Sequence, residues 1–172
     1  MLVADDSAFM RKLIGEMIAE HEGFRVIGFA RDGLDAIRQV EQLQPDIVTL
    51  DLEMPRLDGL SVLRRIMTES PRAVVVLSAG GSQYGDATLR ALELGAVDFV
   101  RKPSGPISLD LPLIRDRLMQ ALDAAATARI TAPDRLDHVS HSAAPPVHAM
   151  DRRASALIEG APARCVVVIA SS

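Results

Sequence analysis

The sequence predicts an α/β fold, a doubly wound five-stranded parallel sheet with helices on both faces. Three observations predict it. Over residues 1–126 short apolar runs alternate with longer helical patterns. The runs at 47–50 and 73–77 are apolar almost throughout, as strands covered on both faces are. Three runs end in charge: Leu2-Val3-Ala4 in Asp5-Asp6, 47–50 in Asp51, and 97–101 in Lys102. In a parallel sheet those ends share one edge.

Taken in order, residues 2–4 start the first strand. Residues 8–20 are helical, with Phe9, Leu13, Met17 and Ile14, Ile18 at i, i+4 spacing and Gly23 as the stop. Residues 24–30 form the second strand. Asp32 is the N-cap of a second helix whose inward face is Ile37 and Val40, with Ala36 and Leu43 beside them, closed by Pro45. Residues 47–50 are the third strand. Residues 59–68 are a third helix (Leu60, Leu63, Ile66, Met67), closed by Ser70-Pro71. A fourth strand at 73–77, a short helix at 86–94 stopped by Gly95, a fifth strand at 97–100 and a fifth helix at 111–126 complete five βα units. The expected strand order is 2-1-3-4-5.

Beyond residue 126 the pattern changes. Ala, Pro, Ser, Asp and His dominate 127–163, and Pro133, Pro145, Pro146 and Pro162 break any long helix, so a flexible, disordered linker is expected. Residues 164–170 read as a sixth strand, which either pairs elsewhere or is the stub of another domain, since a lone strand is unstable.

Composition excludes several classes. A net charge of −4 argues against a nucleic-acid surface, and no apolar run approaches the roughly 20 residues that span a bilayer. The single cysteine, Cys165, rules out a disulfide scaffold and fits a reducing, cytoplasmic setting. Aromatics are only 3%, so the core must be aliphatic. His138, His141 and His148 lie in the Pro/Ala-rich stretch without the further ligands a metal site needs. His21 reads as a surface residue at a helix end.

Three carboxylates and an ammonium on one sheet edge suit Mg²⁺ and a phosphoryl group better than a core. Two carboxylates about 4 Å apart repel by about 4 kcal/mol at an effective dielectric near 20. A hard divalent cation removes that cost and accepts oxygen ligands. Lys102 stands out by composition, because the chain has seventeen arginines and two lysines, and one of the two precedes Pro103. Gly80-Gly81 after Ser78 matches neither a dinucleotide fingerprint nor a Walker loop.

The ordered set Asp5-Asp6-Ser7, Asp51, Met54-Pro55, Asp58-Gly59, Ser78, 96–99 and Lys102-Pro103 resembles the receiver domain of two-component response regulators, with its flavodoxin-like fold, over residues 1–126. The resemblance implies that Asp51 is the phospho-acceptor. It implies that Asp5, Asp6, Asp51 and the Glu53 backbone carbonyl hold Mg²⁺, that Lys102 meets a phosphoryl oxygen, and that Ser78 and Phe99 are switch residues.

Ser7-Ala8-Phe9-Met10-Arg11 and Lys102-Pro103-Ser104-Gly105, followed by residues 107–110, are similar to the chemotaxis protein-glutamate methylesterase (CheB) family. The resemblance implies a receiver (1–126), a linker (127–163) and the first strand of an esterase domain (164–172), with Ser172 at the position of the nucleophilic serine. The glycine-rich turn, histidine and aspartate of an esterase triad do not follow, so no esterase activity is expected of residues 1–172. The implied partners are a chemotaxis histidine kinase and, in the longer architecture, chemoreceptors whose glutamates are demethylated. Residues 2–4 are short for that family's central first strand, so weaker packing there is expected.

Three rival readings are weighed against this. A stand-alone receiver would act as a phosphate sink or docking module. A haloacid-type phosphatase expects an Asp two residues after the nucleophile, where Glu53 stands. A DNA-binding regulator needs a basic helix-turn-helix, and none follows the linker.

Overall fold

Three helices begin at side chains that accept a hydrogen bond from the first turn. Helix α1 (Ala8–Ala19) starts at Ser7, whose hydroxyl accepts from the Met10 N–H at 3.4 Å. Helix α2 (Gly33–Leu43) starts at Asp32, accepting from the Asp35 N–H at 2.9 Å. Helix α3 (Gly59–Glu69) starts at Asp58, accepting from the Ser61 N–H at 2.9 Å. Each such cap is worth about 1 kcal/mol. At its other end α2 closes on Gln44 in the left-handed region, φ 46°, before Pro45.

The structure is a computed structural model, and it describes residues 3–4, 7–78, 84–103, 111–128, 130 and 164–169. The capped helices alternate with strands β1 (Val3–Ala4), β2 (Phe24–Ala30), β3 (Ile47–Asp51), β4 (Ala73–Ser78) and β5 (Asp98–Arg101). Helices α4 (Tyr84–Glu93) and α5 (Leu111–Thr127) complete the five units, and β6 (Arg164–Ile169) follows. No helix among the described residues is long and apolar enough to cross a membrane.

The doubly wound parallel fold is as expected, and its strand order is corrected at one place. Instead of 2-1-3-4-5, β6 lies between β2 and β3, and β3, β4 and β5 follow in turn. β6 pairs with β3 from Ile47↔Val166 to Leu50↔Ile169, and with β2 from Phe24↔Arg164 to Ala30↔Ile169. β1 reaches only the end of β6, as Val3↔Val168 and Ala4↔Ile169. Among the described residues β1 has two paired positions, too few to run along the seven residues of β2 and the five of β3, which β6 pairs instead. Residues 164–169 are therefore a paired strand. The expected linker starts one residue early, since Thr127 still belongs to α5, and residues 131–163 lie outside the described residues.

β3 and β4 are buried along their whole lengths, and their alternation sorts the core into two layers. Val48, Leu50, Val74 and Val76 pack with Ala36, Ile37 and Val40 of α2 and Val62, Leu63, Ile66 and Met67 of α3. Ile47, Val75, Leu77 and Val100 pack with Ile14, Met17 and Ile18 of α1 and Leu118, Ala121 and Leu122 of α5. Each large aliphatic side chain so buried contributes about 1.5–3 kcal/mol. Two expected core residues are corrected: Leu43 is 38% exposed and Phe9 49%. Both sit at helix ends. His21 is half-buried rather than a plain surface residue. Its ring lies 5.3 Å from that of Phe24, and its buried Nδ1 has no partner among the described residues.

Candidate functional site

Parallel pairing brings Asp51, Ser78 and Lys102 to one edge. Asp51 ends β3 opposite Leu77, the residue before Ser78. Ser78 ends β4 opposite Arg101, the residue before Lys102. The Lys102 N–H donates to the Ser78 carbonyl at 2.8 Å, which carries the ladder one residue past β5. All three side chains are buried: Asp51 is 1% exposed, Ser78 6% and Lys102 9%.

The Asp51 carboxylate is held at both oxygens. Lys102 Nζ donates to Oδ2, and the two form a buried ion pair. The Glu53 N–H donates to Oδ1 at 2.9 Å, so the chain turning out of β3 locks the carboxylate from behind. A carboxylate has about four lone-pair sites, so it can accept from several donors at once. A pair this buried leaves a strongly uncompensated charge if either member is lost.

The loop after β3 is fixed in turn. The Leu52 N–H donates to the Leu77 carbonyl at 3.4 Å, and the Leu52 carbonyl accepts from the Gly59 N–H at 3.0 Å. Gly59 is there because nothing larger fits. A Cβ on it would stand 2.1 Å from the Asp51 carbonyl oxygen and 2.6 Å from Leu52 Cα. Arg56 takes a left-handed conformation, φ 68°, and its Nη1 lies 3.1 Å from Oδ2 of the buried Asp32. That ion pair ties the loop to the start of α2. Gly33 permits the approach, since a Cβ there would meet the Leu57 carbonyl oxygen at 2.3 Å.

The Asp58 carboxyl near the site has a clear shift. Partial burial pushes it up, but hydrogen bonds from the Ser61 hydroxyl at 2.7 Å and the Ser61 N–H at 2.9 Å outweigh this. Its carboxyl therefore titrates below the ordinary carboxylate value.

Phe99, the expected switch aromatic, points outward and is 40% exposed. The Arg117 guanidinium lies 6.0 Å from its ring centroid and pairs with Asp98 at 2.6 Å. Asp98 also accepts the Phe99 N–H at 2.7 Å.

Asp5, Asp6 and Ser172 lie outside the described residues. Ala4, just before Asp5, pairs with Ile169, and Ile169 pairs also with Leu50, the residue before Asp51. The strand that leads into Asp5 thus ends at the same sheet edge as β3. Among the described residues no cluster of three or more Asp, Glu, His or Cys could hold a metal. The donors that are described, the Asp51 carboxylate and the Glu53 carbonyl, are hard oxygens of the kind Mg²⁺ takes.

Of the residues named from the sequence, the structure places Asp51, Ser78 and Lys102 at one sheet edge. Sequence reasoning missed the Glu53 N–H, the Asp32–Arg56 tie, the Arg117 clamp and the steric role of Gly59. Of these only Gly59 carried a signal, as a glycine directly after an N-cap Asp, where a helix former would otherwise be favoured.

Residues 1–123 match the family model of the response regulator receiver domain. A protein-glutamate methylesterase/protein-glutamine glutaminase of Symbiobacterium thermophilum is 54% identical over 128 residues, covering 74% of this chain and 35% of that protein. One of the same name from Pyrococcus horikoshii is 46% identical over 126 residues, covering 73% and 34%. The chain thus spans about a third of the length of these curated relatives. The response regulator domain of Thermotoga maritima CheB superposes with a TM-score of 0.68 at 39% identity, over 74% of this chain and 96% of that one. A chain of the CheX-CheY-BeF3-Mg²⁺ complex from Borrelia burgdorferi superposes with a TM-score of 0.60 at 31% identity, over 74% and 88%.

Proposed function

The chain belongs to the response-regulator receiver family, as a receiver of the CheB type in a chemotaxis two-component system, and from that we propose that Asp51 accepts a phosphoryl group from a chemotaxis histidine kinase. The observation that carries this reading is the buried Asp51–Lys102 pair at the C-terminal edge of the sheet, beside Ser78.

An Asp51 oxygen attacks the phosphorus of the kinase's phosphohistidine. A C–O–P linkage forms, the N–P bond breaks, and its electron pair returns to the imidazole, which takes a proton from solvent. Such a transfer depends mainly on positioning and charge stabilisation. The Glu53 N–H fixes the attacking carboxylate. Lys102 already touches Asp51 and needs only a small shift to meet a transferred phosphoryl oxygen. Burial strengthens its charge there. Asp5, Asp6, Asp51 and the Glu53 carbonyl would hold Mg²⁺, which when bound neutralises phosphoryl charge. The Mg²⁺ and BeF3 of the similar Borrelia burgdorferi complex support this assignment.

Once phosphorylated, Asp51 would draw Lys102 and the Ser78 hydroxyl towards the phosphoryl oxygens, and β4 and β5 would carry that shift to Phe99. Leu89 of α4, Phe99 of β5 and Leu113 of α5 are each exposed. In a protein of the relatives' full length this output would control a protein-glutamate methylesterase domain acting on chemoreceptor glutamates. The names of the relatives add glutaminase to that activity.

The test is intact-protein mass after incubation with acetyl phosphate. One phosphoryl group should be added with Mg²⁺, and none with EDTA or in Asp51→Asn. An adduct that survives both controls would overturn the reading.

A further inference from the structure

We propose that the cleft between the first turn of α1, the turn into α2 and the loop after β3 is an anion site that takes a small phosphate-bearing molecule. The inference goes beyond phosphoryl transfer and stands whether or not Asp51 is the acceptor.

The cleft is lined by Arg11, Arg31, Asp32, Pro55 and Arg56, and its volume is about 450 Å³. That size lies within the range of small-ligand sites. Three of its residues carry a guanidinium and one a carboxylate. The carboxylate is already engaged. Asp32 is buried, pairs with Arg56 at 3.1 Å and accepts the Asp35 N–H at 2.9 Å. Asp35, the next carboxylate along α2, is taken by the Arg38 guanidinium and the Arg31 backbone N–H. Among the described residues, the side chains of Arg11 and Arg31 make no ion pair or hydrogen bond. Two cations thus face one cleft without compensation.

Their placement adds to the charge. Arg11 lies in the first turn of α1, and Arg31 stands two residues before Gly33, where α2 begins. These helices have 12 and 11 residues, and each carries the positive end of its dipole at that turn.

Arg56 is held on the cleft in a costly conformation. Its φ is 68°, and the Leu57 N–H closes a three-residue turn on the Pro55 carbonyl at 2.8 Å. Glycine adopts such a turn freely, whereas a residue with a side chain is strained in it. Arginine at this position adds a third guanidinium to the cleft.

The cation type selects the ligand. A guanidinium donates two parallel hydrogen bonds from a planar fork, which matches phosphate oxygens where an ammonium offers only a point charge. A carboxylate fills one such fork. A phosphate group, with three terminal oxygens, meets two, as the free Arg11 and Arg31 require. Like charges around one cleft repel, and a bound dianion removes that repulsion.

The test is an NMR titration of the full chain, observing backbone and guanidinium N–H groups, in metal-free buffer at fixed ionic strength. The probes are inorganic pyrophosphate and AMP. Saturable shifts should centre on Arg11, Arg31 and Arg56, with a Kd below about 1 mM. A response to AMP would mark a phosphate ester as the ligand, and a response to pyrophosphate alone a free phosphate. Arg11→Gln and Arg31→Gln should each weaken binding about ten-fold. Neither loses a partner, so the rest of the spectrum should hold. Arg64→Gln, at an exposed arginine of α3, should bind as the parent does. Three results would overturn the proposal: no saturable shift with either probe, shifts centred on Ser78 and Lys102 instead, or cleft variants that bind no more weakly than Arg64→Gln.

Discussion

Replacing Gly59 with alanine should damage fold and site together, although the same change in an open helix would help. At the first helical position alanine is favoured over glycine by about 1 kcal/mol on propensity alone. Here the added Cβ would stand 2.1 Å from the Asp51 carbonyl oxygen, 2.6 Å from Leu52 Cα and 2.9 Å from the Asp51 carbonyl carbon. All three are backbone atoms, so no rotamer change relieves the contact. Ordinary contact begins at 3.4 Å, so α3 and the end of β3 must separate by 1.3 Å, the difference between 3.4 and 2.1. Overpacking of this kind costs about 1–3 kcal/mol, and the lost Gly59–Leu52 hydrogen bond adds about 1. Set against the propensity gain, the net loss is about 2 kcal/mol, read by urea unfolding. Because the displaced atoms carry Asp51, a misplacement of about 1 Å should also slow phosphorylation by acetyl phosphate on the order of a hundredfold. A Gly59→Ala protein as stable and as quickly phosphorylated as the parent would refute the packing argument.

Lys102→Met leaves the buried Asp51 carboxylate without that cation and should cost about 3 kcal/mol, and Asp51→Asn added to it should recover most of the loss. A double-mutant cycle showing no coupling between the two would count against the pair. Thr49→Val removes a fully buried hydroxyl that has no partner among the described residues, and should raise stability by about 1 kcal/mol. A clear drop in the thermal midpoint would contradict it. The Asp58 carboxyl lies below its ordinary value in the folded chain, so its contribution is present above the unfolded value and is lost as pH falls through the folded one. The stability difference between parent and Asp58→Asn should therefore be flat near neutrality and close as pH falls through and below the ordinary carboxylate range. A difference that stays constant to acid would show that the charge plays no part.

The edge chemistry was legible because strand ends announce themselves. Asp51, Ser78 and Lys102 each follow an apolar run, and parallel pairing does the rest. What the sequence hid was tertiary. Nothing local says that residues 164–169 enter the sheet between β2 and β3, because any apolar six-residue strand carries the same pattern. Periodicity placed Leu43 inward, but as the last residue of α2 it is 38% exposed. The Asp32–Arg56 tie joins loops 24 residues apart, and the Arg117 clamp on Asp98 joins β5 to α5. Such pairs have no spacing rule to betray them.

The central claim is that a phosphoryl group lands on Asp51. Borohydride reduces an acyl phosphate to the alcohol, turning a phosphorylated aspartate into homoserine at that position. After acetyl phosphate and Mg²⁺, reduction and peptide sequencing by mass spectrometry should find homoserine at residue 51. Homoserine at residue 5 or 6 instead, or at no position in folded protein, would contradict the account.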